Sequence, residues 1–117
     1  MKRSIRPPSP PAGKYASVPF LGSTYVEKGP YGKPVYRFAF GSIEVGGKPY
    51  EAAQHVGTDD RGGSGLHEVL ESLFGRSLPY GETVDDSDLV GQEYDLVIAP
   101  SENGTGTVLA SFAPSAK

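Results

Sequence analysis

The sequence predicts a mainly β protein with five strands and one α-helix between strands 3 and 4. The chain has 16 Gly and 11 Pro among 117 residues, which is typical of short strands separated by turns. Aromatic residues alternate with other residues in the segment YRFAF, and this is the period of a half-buried strand. Only residues 64–75 show the spacing of an amphipathic helix.

The length supports one domain, flanked by an N-terminal arm and a short C-terminal segment that lie outside its core. A chain of 117 residues can build one hydrophobic core but is too short for two comfortable ones. Residues 1–13 contain four prolines and three Lys or Arg, so we expect a disordered or polyproline II arm with a basic character. Residues 14–114 are predicted to form the barrel domain, and residues 115–117 a frayed C-terminus.

The first two strands are predicted to pair antiparallel across a turn. Residues 14–26 form a long first strand that bends at Pro19 and Gly22, because proline removes a donor from the ladder. Residues 28–34 hold two Gly and two Pro and therefore form the turn. Residues 35–45 form the second strand, the clearest in the sequence.

The second strand predicts a core face and an outer face. The segment YRFAF, residues 36–40, puts three rings on one face, and we expect these rings to be buried. Arg37 and Ala39 then point outward. The apolar phase slips by one residue after this segment, and a β-bulge at Gly41 accounts for the slip.

The third strand and the helix follow a hairpin turn at residues 46–47. Residues 50–56 alternate with Tyr50, Ala52 and Val56 inward and with Glu51 and His55 outward. After a polar linker, Ser64 is the predicted N-cap and Gly75 the residue that ends the helix. The apolar stripe of this helix consists of Leu66, Val69, Leu70, Leu73 and Phe74.

The last two strands close the domain. Residues 79–88 are predicted to be a connecting loop. Residues 94–99 and 107–113 then form a strand pair, and Asn103-Gly104 supplies a tight-turn signal between them.

Several classes of site are excluded or disfavoured. Because the chain has no Cys, it has no disulfide, thiolate zinc site, iron–sulfur cluster or cysteine nucleophile. His55 and His67 lie in different elements, so we expect no metal and no cofactor. The acidic run at residues 85–88 lacks the Gly and Glu of a calcium loop and favours a turn or helix start instead. The linker TDDRGGSG lacks the Lys-Ser/Thr ending of a phosphate-binding loop.

We therefore expect a protein that is not an enzyme. No nucleophile and base, metal or tuned acid–base pair shows the required spacing. No segment is long and apolar enough to span a membrane, so the sequence analysis also predicts a soluble, cytoplasmic protein.

The charge distribution and the aromatic residues suggest a nucleic-acid surface. Residues 1–58 have eight Lys or Arg against three Glu, whereas residues 59–117 have three against eleven acidic residues. Cations that neutralise phosphates, interleaved with rings on which bases stack, are what sequence-tolerant binding of single strands requires. The candidate binding residues are Tyr25, Lys28, Tyr31, Lys33, Arg37, Lys48 and His55.

The order of three strands, a helix and two strands is that of the five-stranded OB Greek-key barrel. Along residues 13–114 the chain resembles small OB-fold, single-strand-binding-like proteins of phages and mobile elements. The resemblance rests on the segments YGKPVYRFAF, LHEVLESLFGRSL and DLVGQEYDLVI. It implies binding of single-stranded DNA across strands 2 and 3 in replication or recombination, at Tyr31, Lys33, Arg37, Lys48 and His55.

An alternative of another class remains open. The same barrel is consistent with a protein-interaction or virion-associated module that does not bind nucleic acid. The sequence does not distinguish DNA from RNA. It also leaves open whether the chain has a protein partner and whether it forms a homo-oligomer.

Overall fold

The computed structural model describes residues 8–29, 32–59, 61–102, 104 and 106–115. It contains five strands, one α-helix and one short 3-10 helix. In chain order these are β1 (Gly13–Val26), β2 (Val35–Val45), β3 (Lys48–Gly57), α1 (Gly65–Phe74), the 3-10 helix (Asp86–Leu89), β4 (Glu93–Pro100) and β5 (Thr107–Pro114).

The strands form one antiparallel sheet in the order β3-β2-β1-β4-β5. The sheet curls into a half-barrel, β3 and β5 come into contact, and α1 packs against both of them. Strand order and helix position are OB-like. The predicted fold class, mainly β with one helix between strands 3 and 4, is confirmed.

Strand β1 holds the two halves of the sheet together because it changes partner along its length. Its N-terminal part pairs with β4 and its C-terminal part with β2. The register shifts between Phe20 and Gly22, close to the predicted bend. A second shift lies between Tyr15 and Val18 rather than at Pro19, because Pro19 still pairs with Glu93.

Strand β2 has the predicted bulge, since its register with β3 shifts between Phe40 and Ile43. Phe38 and Phe40 are buried as expected, and Tyr36 is half-buried. The expected exposure of Ala39 is wrong. Its side chain lies on the outer face, but β1 and β3 flank it and it is only 5% exposed.

The core is a cluster of rings at the centre of the half-barrel. The Phe40 ring centroid lies 5.3 Å from that of Phe20, 5.5 Å from that of Tyr94 and 5.0 Å from that of Phe112. The Tyr94 hydroxyl donates a hydrogen bond to the carbonyl of Leu73 at 2.6 Å, which ties the end of α1 to β4. Burial raises the pKa of Tyr94, so this hydroxyl keeps its proton.

The helix boundaries match the sequence signals. The Ser64 hydroxyl accepts a hydrogen bond from the His67 N–H, and Gly75 adopts a left-handed φ of 69° that ends the helix. The acidic run also has the predicted local role, because Asp85 caps the 3-10 helix by accepting a hydrogen bond from the Ser87 N–H at 3.0 Å. The predicted loop over residues 79–88 therefore contains the start of this helix.

The N-terminal segment differs from the predicted disordered arm over residues 8–12. Pro10 is fully buried, its carbonyl accepts a hydrogen bond from Thr107 on β5, and the Pro8 carbonyl accepts one from the Glu51 N–H on β3. Proline lacks an N–H but keeps its carbonyl, so the segment can bind strand edges without joining the ladder. Residues 1–7 lie outside the described residues. Among the described helices, none is long and apolar enough to cross a membrane.

Candidate nucleic-acid interface

The sheet register decides which candidate residues share a face. Thr24, Arg37 and His55 are cross-strand neighbours on the outer face of β1, β2 and β3. Tyr25 and Tyr36 pair one residue along and point to the inner side, toward the mouth of the half-barrel. The predicted cations of the strands and the predicted exposed ring therefore lie on opposite sides of the sheet.

The β1–β2 loop, residues 27–34, brings two candidate lysines close together. The Gly29 N–H donates a hydrogen bond to the carbonyl of Lys33 at 2.8 Å, so Lys28 and Lys33 lie at the two sides of the loop base. Only glycine fits at position 29, because a Cβ there would lie 2.7 Å from a Val35 methyl carbon. Both lysine residues are exposed.

Lys33 also lines a groove with the exposed residue His55 at the same end of the sheet. The groove has a volume of about 500 Å³, and Val35 and Val56 contribute to its walls. Its surface is mostly apolar with cationic or ionisable groups at the margin, which suits a base flanked by phosphates.

Asp59 adds a carboxylate to this groove, and Arg61 compensates for it. The Arg61 guanidinium donates hydrogen bonds to both Asp59 oxygens, from Nε at 3.0 Å and 3.2 Å and from Nη2 at 2.9 Å. These side-chain bonds, with a backbone bond from the Arg61 N–H, lower the pKa of Asp59 to about 2. Arg61 falls within the linker TDDRGGSG in the sequence, although a cation two residues after an aspartate is a signal for such a pair.

Arg37 lies on the predicted outer face but is already paired. Its guanidinium forms an ion pair with the Glu51 carboxylate, and the two side chains are only 13% and 17% exposed. Strand alternation predicts that both residues point outward from neighbouring strands, and the register of β2 with β3 brings them together. Because this pair holds Nη2 and the side chain is largely buried, Arg37 offers little surface to a phosphate.

Tyr25 offers the exposed ring of the site. It is 59% exposed and contacts Tyr36 edge to face with 6.0 Å between ring centroids. Its position near the end of β1 puts it close in sequence to Lys28, although on the inner side of the sheet. A polynucleotide that contacts both must pass around the end of the sheet at the β1–β2 loop.

Two predicted site residues do not join this group in the structure. Lys48 pairs with Val45 at the opposite end of β2, ten residues from Val35, which corresponds to roughly 30 Å along the strand. Tyr31 lies outside the described residues. Lys28, Lys33 and His55 therefore lie at one end of the sheet, and Arg61 lies near them although it was not a predicted site residue. Arg37 is the neighbour of His55 on the outer face, and Tyr25 lies on the inner face.

The second histidine has a packing role next to α1. The Nδ1 atom of His67 accepts a hydrogen bond from the Gly63 N–H at 2.8 Å, and Nε2 lies 2.9 Å from the Leu78 carbonyl. These contacts hold the linker and the segment after α1 against the helix. Within the part of the chain that the structure describes, no group of three His, Asp or Glu residues could hold a metal ion.

Comparison of the chain with protein-family models, curated proteins and solved structures found no significant match. The fold is called OB-like because of its strand order and the position of its helix. Function has to be inferred from the residues at the sheet end.

Proposed function

We propose that this chain is a non-enzymatic protein that binds single-stranded nucleic acid, with DNA as the leading candidate. The observation that supports this most is that Lys33 and His55 line one groove at the end of β2 and β3. Lys28 is next to Gly29, which is hydrogen-bonded to Lys33, and Arg61 is paired with Asp59 of the groove wall. The exposed Tyr25 ring lies near the same loop. In the setting implied by the resemblance, the protein serves replication or recombination of a phage-like element in the cytoplasm.

Binding combines two physical contributions. Lysine and arginine side chains release counterions when they neutralise phosphates, which makes affinity fall as salt rises. An aromatic face stacks on any base and contributes about 1–3 kcal/mol per base. Neither contribution depends on hydrogen bonds to the edges of the bases, so binding is sequence-tolerant.

The affinity is expected to be modest. Arg37 forms an ion pair with Glu51, and Arg61 forms one with Asp59. Two of the cations near the groove are therefore already paired in the absence of nucleic acid. A phosphate must compete with these carboxylates. Lys28 and Lys33 are therefore the first residues to test.

The test is fluorescence anisotropy of a labelled oligothymidine at a series of salt concentrations. Binding should weaken steeply with salt, and Lys28→Ala or Lys33→Ala should each reduce the slope of log K against log salt by about 0.7. Lys48→Ala is the matched control, because the same charge is removed at the opposite end of β2. Absence of binding by the wild-type protein at low salt would overturn the proposal.

One observation favours the alternative, a protein-interaction or virion-associated module. The outer face of β4 and β5 exposes Val97 and Val108, which are 36% and 48% exposed. Pull-down from the host, followed by size-exclusion chromatography with light scattering, distinguishes the two functions: a stable complex with a different protein that forms equally with and without oligothymidine favours the module, whereas self-association favours neither.

A further inference from the structure

Tyr80, in the loop between α1 and the 3-10 helix, is the most exposed aromatic residue in the part of the chain that the structure describes, at 80%. The Glu82 N–H donates a hydrogen bond to the Pro79 carbonyl at 3.1 Å, so residues 79–82 form a turn with Tyr80 at its second position. Gly81, at the third position, has a φ of 90°, as a type II turn requires there. The chain therefore presents this ring on a defined turn.

One side of the Tyr80 ring is supported by the linker before α1. A Cβ added at Gly62 would lie 2.5 Å from Cε1, 2.6 Å from Cδ1 and 3.0 Å from Cζ, so the ring packs directly on the Gly62 backbone. The His67 ring contacts Tyr80 edge to face, with 5.6 Å between ring centroids. His67 is itself held, because the Gly63 N–H donates a hydrogen bond to its Nδ1 atom. The ring is thus positioned by its neighbours while most of its surface stays open to a flat group.

The same linker connects Tyr80 to the groove at the end of β2 and β3. Asp59 lines that groove, and Gly62 follows three residues later, so their Cα atoms lie within about 11 Å of each other. Arg61 comes between them in the chain, and its side chain is 85% exposed and paired with Asp59. A groove, an exposed cation and an exposed ring therefore follow one another along this surface. Interleaved cations and rings are what a single strand needs for sequence-tolerant binding.

The carboxylates around Tyr80 decide from which side a polyanion can approach. Glu68 and Glu71 of α1 lie on one side, where they line a shallow hollow together with the ring. Glu82, on the same turn as Tyr80, forms an ion pair with Arg76. Phosphates are repelled from the α1 side, so a strand must reach the ring from the linker side.

We propose that Tyr80 stacks on a base of a single strand that leaves the groove of Lys33 and His55 and passes Arg61. The inference rests on the proposed function and extends its site from the end of β2 and β3 to the turn after α1. A tyrosine face stacks on any base, so the added contact preserves sequence tolerance. Because the ring is already positioned by Gly62, it loses little conformational freedom on binding.

Fluorescence anisotropy with labelled oligothymidine tests the contribution of the ring. Tyr80→Ala should raise the Kd by at least about fivefold, because one stacked base is lost, whereas Tyr80→Phe should bind like the wild type. The slope of log K against log salt should stay unchanged in both variants, since no charge is removed. This separates Tyr80 from Lys28 and Lys33, whose removal should lower the slope. Circular dichroism melting checks that each variant is folded.

A tryptophan variant reports directly on contact with the base. The chain has no Trp, so the indole introduced by Tyr80→Trp is the only one, and oligothymidine should quench its fluorescence on stacking. Val108→Trp is the matched control, because Val108 is 48% exposed on β5 and does not line the groove. Wild-type binding with no loss in Tyr80→Ala and no quenching in Tyr80→Trp overturns this inference alone. Absence of wild-type binding at low salt overturns the proposed function as well.

Discussion

The outer faces of the two halves of the sheet differ in chemistry although the same strand, β1, belongs to both. On β2 and β3 the outer face holds the Arg37–Glu51 ion pair and His55. On β4 and β5 the corresponding positions hold mainly valine and alanine. Alternation explains which residues point outward in each half. The two faces offer different groups to a partner, an ion pair and a histidine on one and two exposed valines on the other.

The two faces should respond differently to salt. Contacts between a charged face and a polyanion are sensitive to salt. An apolar face gains free energy when it is covered, and salt affects it little. Measurements that perturb one half should therefore leave the function of the other unchanged.

The largest expected effect comes from removing the ring that joins the two halves. Phe40→Ala should lower the free energy of unfolding by about 3–5 kcal/mol, because Phe40 is fully buried and contacts rings from β1, β4 and β5. Urea denaturation measures this loss, with Val90→Ala as an exposed control. An effect no larger than that of Val90→Ala would mean that the halves do not share one core.

A smaller effect is expected at the exposed ring of the charged half. Tyr25→Ala should weaken oligothymidine binding by about 1–3 kcal/mol, because it removes a stacking surface. Tyr25→Phe should bind like the wild type, since the ring remains. If both variants bind equally well, Tyr25 has no part in the interface and the polynucleotide stays on the outer side of the sheet.

The smallest effect concerns the ion pair on the outer face of β2 and β3. A double-mutant cycle with Arg37→Met and Glu51→Gln should give a stabilising coupling of roughly 1 kcal/mol in thermal or urea unfolding, because both side chains are largely buried. The exposed pair Arg76–Glu82 serves as the comparison and should couple less. Equal couplings would show that the packing around Arg37 does not strengthen the pair.

Features with local causes were predictable from the sequence. Ser64 and Gly75 bound the helix through their own backbone preferences, and Gly41 marks the bulge where the alternation slips. The register shift in β1 near Ser17 had no such signal, since Ser17 adopts a positive φ of 57° at a position without glycine. That conformation depends on the pairing of β1 with β4.

The candidate site was predictable as a list of residues but not as an arrangement. Whether Tyr25 and Arg37 share a face depends on the register of β1 with β2, in which Tyr25 pairs with Tyr36 and Thr24 pairs with Arg37. The separation of Lys48 from Lys33 depends on the length of β2, and the pairing of Arg37 with Glu51 depends on the register with β3. Each of these is a long-range property that residue spacing within one strand does not determine.

The buried Pro10 has a consequence for how the molecule avoids association through its strand edges. Strands β3 and β5 end the sheet on either side, and residues 8–11 lie against both of them. This proline-rich segment contacts β3 at Glu51 and β5 at Thr107 and presents few N–H groups to another chain, so it disfavours extension of the sheet by strand addition at these two points.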